Sequence, residues 1–490
     1  MITNDIRQLK PTLLWNNFYQ LTQTPRPSGL RDKISAFLLD FGKSLNLNTV
    51  LDQSGNVIIS KPATSGMENR KSVILQAHMD MVPQKNSLVE HNFETDPITT
   101  FIEDGWVKAR NTTLGADNGI GLAAALAVLQ SKDIAHPAIE LLVTADEETG
   151  MFGAFGLQPN VLQGEILINL DSEDEGELYV GCAGGMDVDI NFTYKEVKIP
   201  IGDVALKLSI TGLKGGHSGV DIHLQRANAN KLLFRFLKEA VSDFEVRLAS
   251  VNGGSLRNAI PREAFAIITV PEEGVEDIIE FVKDCEELFT DEFKSIENNI
   301  KFSVEPVELP SGLMPEEIQD DLINGVTACP NGAMRFIAEM PSVVETSNNL
   351  AIIKSEGDII HLRSLVRSSV ESRKEELASM IESLFQLAGA RVYFSGGYPG
   401  WEPNLNSPIL KEMKLIYEQN FGTIPKIMII HAGLECGIIG TNYPNLDMIS
   451  FGPTIRYPHS PDEKVEIESV AKFWDFLVAT LENIPLKNEL

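Results

Sequence analysis

The chain has 490 residues, 43% of them hydrophobic and 22% charged, with 41 Lys and Arg against 69 Asp and Glu for a formal charge of -28. That length exceeds what one core usually supports, so two or more domains are expected, and the acid excess repels phosphate backbones and anionic lipids, which argues against nucleic-acid and membrane partners. No run reaches the roughly 18 to 20 consecutive apolar residues of a membrane span, and Cys182, Cys285, Cys329 and Cys436 lie far apart with no CxxC pair, which argues against a disulfide framework or a structural zinc knuckle.

The N-terminal stretch MITNDIRQLKPTLLWNNFYQ is amphipathic and lacks the basic, apolar and small-residue order of a signal peptide. A reducing cytoplasm is therefore the expected location. In the first third, apolar runs that read as strands alternate with helical patterns: SVILQA before His78, AIELLVTA before Asp146 and EILINL before Asp171, with GLAAALAVLQ as a helix between the first two. Such short continuous runs suggest strands buried on both faces of a mostly parallel or mixed sheet. From about Gly184 the character changes. The runs ALKLSI, FAIITV, NIKFSV, DIIHLRSLV and ARVYF alternate with the amphipathic helices GVEDIIEFVKDCEELF and SRKEELASMIESLFQLAG, an α+β layer pattern. After the turn-rich SGGYPGWEPN the chain returns to helix and strand (SPILKEMKLIYEQNFG, PKIMII, LDMISFG) and finishes on the helix EIESVAKFWDFLVATL. The expected organisation is an α/β domain built from residues 1–184 and 396–490, with an α+β domain of residues 185–395 inserted between its halves.

In open α/β sheets, sites form where strands end at their carboxyl side. Polar residues follow the apolar runs at five places: His78-Met79-Asp80, Gly115-Ala116-Asp117-Asn118-Gly119, Asp146-Glu147-Glu148-Thr149-Gly150, Asp171 after EILINL, and His459-Ser460-Pro461-Asp462-Glu463. Two histidines with several carboxylates and no cysteine form a nitrogen and oxygen donor set that suits zinc, cobalt or manganese better than magnesium or calcium. His78 and Asp80, two apart on an extended segment, point the same way, so Asp80 can hydrogen-bond the imidazole and fix its tautomer. The side chains of Glu147 and Glu148 must diverge, so one can bind metal while the other handles a proton. Each piece also has a plainer reading. HxD can be a histidine satisfied by its neighbour, adjacent glutamates a solvated helix face, DSED at Asp171 a charged loop, GADNG an Asx-turn and helix cap, and HSPDE a cap before a helix starting at Pro461. All five falling at predicted strand ends of one α/β frame favours a site.

HMD, GADNG, DEETG, NLDSE and HSPDE, in this order, resemble the metal-binding motifs of the M20 metallopeptidase family. GLKGGHSGVDIHLQRANA, GGSLRNAIP, HAGLECG and SFGPTIRYPHSPDE are similar to its aminoacyl-histidine dipeptidase branch, and the likeness spans nearly the whole chain. The resemblance implies a mixed-sheet, dinuclear-metal, aminopeptidase-like catalytic domain with an inserted lid. It also implies two divalent ions, zinc first and cobalt or manganese as alternatives: Asp117 bridges them, His78 and Asp171 complete one, Glu148 and His459 the other, and Glu147 is the general base. Such paired ions lie roughly 3.5 to 4 Å apart, lower the pKa of a shared water and polarise the scissile carbonyl.

In GGHSG, His217 stands among glycines, where backbone can approach a ligand closely. It is the expected oxyanion donor, because charge developing on a tetrahedral intermediate needs a fixed donor. Asn258 and Arg367 are expected to grip the substrate backbone and terminal carboxylate, with Arg363 the alternative arginine; His223 and His431 read as structural. The expected activity is hydrolysis of dipeptides with a free amino terminus, of broad specificity and including Xaa-His, with N-acyl amino acid hydrolysis at the same metals as its rival. In some branches of the family the lid also forms dimer contacts, so a homodimer through this domain is a further expectation. A cysteine hydrolase built on Cys436 and His431 leaves the carboxylates unexplained, a non-catalytic binding protein leaves Glu147 and His217 unused, and GLKGG lacks the G-x-G-x-x-G of a nucleotide site.

Overall fold

In the computed structural model, residues 5–487 are described; residues 1–4 of the amphipathic N-terminal stretch and residues 488–490 lie outside them. The chain divides into two compact units. The first contains residues up to Gly181 with Trp401–Ile429 and Leu434–Leu490, and the second Cys182–Gly400 with Ile430–Gly433. No helix among the described residues is long and apolar enough to cross a membrane.

The first unit is built on a mixed eight-stranded sheet in the order Asn48–Leu51, Val57–Lys61, Ile139–Thr144, Val73–His78, Ile166–Asn169, Asp447–Ser450, Glu177–Cys182, Lys426–Ile430. Its centre is parallel: Val73–His78 runs alongside both Ile139–Thr144 and Ile166–Asn169, and Asp447–Ser450 pairs parallel with Ile166–Asn169. Every residue of Val73–His78 is buried, as a strand covered on both faces requires. Register sets the level at which the strands end. His78 lies opposite Thr144, and Gln76 opposite Asn169, so His78, the Asp146–Gly150 turn and Asp171 emerge at one level of the sheet.

The helix Ala116–Gln130 packs against Val73–His78 and the helix Thr12–Gln23. It is apolar around its whole circumference, with an alanine-rich sequence and residues Gly119 to Leu129 all buried, the pattern of a core helix rather than a surface one. Its start is irregular. Gly115 has φ +71°, Asp117 and Asn118 depart from helical dihedrals, and the peptide between those two is cis. Gly121 permits close approach to the sheet, since a Cβ there would stand 2.2 Å from the Leu170 carbonyl oxygen. A four-stranded antiparallel sheet flanks this region in the order Ile455–Arg456, Lys464–Glu466, Trp106–Ala109, Thr100–Glu103.

The second unit is an antiparallel sheet in the order Lys301–Val307, Asp203–Thr211, Ala264–Pro271, Arg247–Gly253, Met340–Glu356, Ile359–Ser368, Gly184–Thr193, Arg391–Tyr398, with Gly332–Ile337 paired to Met340–Glu356. Strands such as Asp203–Thr211 alternate buried and partly exposed residues, the sign of one covered face. That face packs under the helices Ala229–Asp243, Val275–Phe293, Glu316–Ala328 and Glu371–Leu387 around Phe192, Phe234, Phe236, Phe289, Phe302 and Phe385. Both layer types match the α/β and α+β patterns read from the sequence.

Candidate active site

His78 closes a central strand, Asp117 lies in the irregular start of the Ala116–Gln130 helix, Glu148 in the turn after Ile139–Thr144, Asp171 just past Ile166–Asn169, and His459 in the loop between Ile455–Arg456 and Lys464–Glu466. The fold brings all five together. His78 Nε2 is 3.1 Å from Asp117 Oδ1 and 3.5 Å from Asp171 Oδ1. His459 Nε2 is 3.2 Å from Asp117 Oδ2 and 3.0 Å from Glu148 Oε2. The two oxygens of one carboxylate thus face two separate sets, each of one imidazole and one further acid. His78, Asp117 and Glu148 also offer ligand atoms within 4.8 Å of one another, close enough to hold a metal ion.

Glu148 Oε1 and Asp171 Oδ1 are buried with no hydrogen-bond partner, although buried carboxylate oxygens ordinarily have one. Burial among the neighbouring acids Asp117, Glu147 and Glu435 pushes Asp171 well above the usual carboxylate range, although His78 opposes it. Burial raises Glu147 likewise, with Glu435, Glu148 and Asp117 adding to the shift against His78. On His78, burial is outweighed by Asp171, Asp117 and Asp80, which hold the imidazole well above its ordinary value, and hydrogen bonds to Asp117 and Glu148 lift His459 to about 11. This is a site with more negative charge than its side chains can neutralise. Divalent cations fit that deficit, and the nitrogen and oxygen donors fit borderline metals.

Three supporting groups hold the loops in place. Asp80 lies 3.4 Å from His78 Nδ1, and its carboxylate also accepts hydrogen bonds from the backbone N–H of Glu147 (3.0 Å) and Glu148 (3.3 Å) and from the Ser28 hydroxyl (2.7 Å). It therefore ties the end of a strand to the turn carrying both glutamates. Glu463 is buried and accepts from four successive N–H groups, Leu114 and Gly115 at one oxygen and Ala116 and Asp117 at the other. The buried guanidinium of Arg26 donates to the carbonyls of Met79, Asp80 and Gly115, joining the two segments that carry His78 and Asp117. Sequence reading missed the roles of Glu463, Arg26 and Ser28, and the only signal available was the place of Glu463 inside HSPDE. Glu435, from HAGLECG, was also missed. It is buried and accepts from Thr144 and Gln76, both at 2.6 Å, beneath the glutamate turn.

Several plainer readings fail here. Glu147 and Glu148 lie in a turn rather than on a helix face, and Ser460-Pro461 opens a turn closed by the Asp462 N–H on Ser460 Oγ and followed by the strand Lys464–Glu466 rather than by a helix starting at Pro461. Cys436 is fully buried, so its thiol is shielded from any substrate.

The remaining candidates lie in the second unit. His217 belongs to a short ladder with Ala259, and its Nδ1 accepts from the N–H groups of Gly219 (3.1 Å) and Val220 (3.0 Å). Two donors on Nδ1 place the ring proton on Nε2. Burial and the nearby Arg367 charge lower its pKa to about 4, so the ring is neutral near pH 7. Asn258 is exposed, and its carbonyl accepts from the Ser218 N–H at 2.8 Å. Arg367 is buried, donates to the Tyr398 hydroxyl at 2.7 Å, and leaves Nε without a partner. Arg363 differs in being paired with Asp189. His431 is held by Ser347 at 2.7 Å, and His223 by the Val220 carbonyl at 2.9 Å.

With the geometry established, comparison with known proteins identifies the relatives. The chain is 46% identical over 484 residues, 99% of its length, to the whole of the cytosol non-specific dipeptidase of Escherichia coli (strain K12). It superposes on the crystal structure of aminoacylhistidine dipeptidase from Vibrio alginolyticus with a TM-score of 0.93 and 48% identity, covering 98% of each chain. The aminopeptidase PepT of Bacillus cereus ATCC 10987 shares the fold at a TM-score of 0.57 and 17% identity, over 97% of this chain and 98% of that one. The model of peptidase family M20/M25/M40 matches residues 74–483, a span that holds all five clustered side chains, and the chain belongs to that family of peptide hydrolases.

Proposed function

We propose that this chain is a cytoplasmic, two-metal dipeptidase that cleaves dipeptides with a free amino terminus, with broad specificity including Xaa-His. The observation that carries the reading is the Asp117 carboxylate, whose oxygens face His78 and Asp171 on one side and His459 and Glu148 on the other. The two full-length relatives are named as dipeptidases, one of them for the cytosol. His78, Asp117 and Asp171 would hold one divalent ion and Glu148, His459 and Asp117 the other, with zinc best suited to these donors and cobalt or manganese as alternatives. When bound, such ions supply Lewis acidity toward the scissile carbonyl and toward water.

Glu147, free of those duties, takes a proton from the attacking water and returns it to the leaving amine; burial raises its pKa, which strengthens it as a proton acceptor. Asp80 fixes the position of that glutamate through its backbone N–H. His217, neutral with its proton on Nε2, is a donor for the oxyanion. Arg367, buried without an acidic partner among the described residues, grips the substrate carboxylate, and Asn258 assists at its backbone; Arg363 is already committed to Asp189.

The test is an assay of metal-depleted protein against β-alanyl-His, Gly-His, Leu-Leu, an N-acetyl amino acid and a tripeptide, with zinc, cobalt or manganese restored. Metal-dependent cleavage of the free-amine dipeptides, lost in Glu147→Ala while metal content is retained, is expected. Cleavage of the acetylated compound alone, or activity without metal, would overturn the proposal.

A further inference from the structure

The four-stranded sheet of the first unit carries an unusual row of side chains. Its registers place Arg456 opposite Lys464, Lys464 opposite Lys108, and Lys108 opposite Phe101. The alternate row, Ile455, Val465 and Val107, is buried, so the row of cations faces outward. Arg110 follows Lys108 by two residues and continues the pairing through its N–H to the Thr99 carbonyl, which puts its side chain on the same face.

Like charges directly opposite one another destabilise a sheet, and here they occur in a protein of net charge -28. Neutralisation by neighbours is incomplete. Lys108 meets Glu103 and Arg456 meets Asp174, whereas Lys464 and Arg110 have no ion-pair partner among the described residues; they lie over the rings of Trp106 and Phe101, at 4.3 and 5.4 Å. Lys108, Arg110 and Lys464 line a cavity of about 600 Å³ whose walls include Asn86, Asn111 and Tyr457. Two acids border it too: Asp462, which is exposed, and Glu463, whose oxygens are both taken by the N–H groups of residues 114–117, so the three cations outnumber the acids in the wall. The volume suits a small molecule, and the walls combine cations, amide donors and aromatic rings.

We propose that this pocket binds a small polyanion, a molecule with two or more negative charges on carboxylate or phosphate groups, held by Lys108, Lys464 and Arg110. None of these three side chains belongs to the Asp117 cluster, so the pocket offers a binding site beyond that cluster, next to the loop that carries His459. The bound anion relieves the repulsion between Lys108 and Lys464 that the sheet register imposes.

The experiment is calorimetric titration of the metal-loaded protein at fixed ionic strength with benzene-1,3,5-tricarboxylate, whose carboxylates are too far apart to chelate one cation, and in a second arm with phenyl phosphate. The expected result is saturable binding by at least one probe, the tighter one naming the preferred group. Binding should weaken about tenfold in Lys108→Gln and again in Lys464→Met, which keeps its stem over Trp106, with the rate of dipeptide cleavage unchanged in both. Affinity equal in parent and variants, or no binding of either probe up to about 10 mM, would overturn the proposal.

Discussion

Replacing Glu463 by Gln tests whether the segment carrying Asp117 is held from behind by one buried carboxylate. The native side chain accepts from four N–H groups, two at each oxygen. Glutamine keeps one acceptor oxygen and turns an NH2 group toward the other two donors, so two buried N–H groups lose their partner. At about 1.5 kcal/mol each, the loss is about 3 kcal/mol, and in Glu463→Ala, with all four unpaired and a cavity left, it is about 6 kcal/mol or more. For a unit of this size the first figure corresponds to a fall in Tm of roughly 10 °C. Calorimetric melting of the metal-depleted protein gives the direct readout, since bound metal would mask the effect by stabilising the folded state. Because the Asp117 N–H is one of the four, metal affinity should also fall about tenfold or more. A Gln variant that melts within about 1 °C of the parent and binds metal equally well would refute the reasoning.

Arg367→Lys should raise KM for dipeptides by about tenfold or more with little change in kcat, because a planar fork is replaced by a point charge, whereas Arg363→Lys should leave KM nearly unchanged. Steady-state kinetics on one dipeptide separates them, and equal effects would remove the assignment. The His217 ring should titrate near pH 4 in an NMR experiment, because burial and Arg367 disfavour its charged form. A midpoint near 6.5 would show that the ring is not held as described. Gly121→Ala should cost about 1 to 3 kcal/mol, since the added methyl meets the Leu170 carbonyl oxygen at 2.2 Å; denaturant melting that shows no loss would mean that the helix and sheet can separate freely.

Much of the fold was legible from hydrophobic patterning alone. SVILQA, AIELLVTA and EILINL read as buried strands because a strand covered on both faces is apolar at nearly every position, and the central strands are buried throughout apart from the half-buried Glu140. GLAAALAVLQ read as a helix because a run of that length with alanine favours one, and it is a core helix throughout. The acids and histidines at the ends of those strands stood out because strand ends are where an α/β sheet exposes side chains to a site.

What patterning left open was pairing between residues distant along the chain. Nothing near Glu463 announces that it accepts from residues 114–117, and nothing near Arg26 announces its bonds to Met79, Asp80 and Gly115. The choice between Arg363 and Arg367 rests on Asp189, which faces the first from a neighbouring strand and leaves the second without an acid. The cationic row of Arg456, Lys464 and Lys108 exists only in the register of three strands, two of them neighbours near the C-terminal end and the third hundreds of residues earlier. Sequence by itself determined which segments are strands and helices and which residue types carry the chemistry, because periodicity and composition are local. Tertiary structure decided which carboxylate faces two imidazoles, which guanidinium lacks an acidic partner among the described residues and which lysines oppose each other, because those depend on strand register and loop approach between segments hundreds of residues apart.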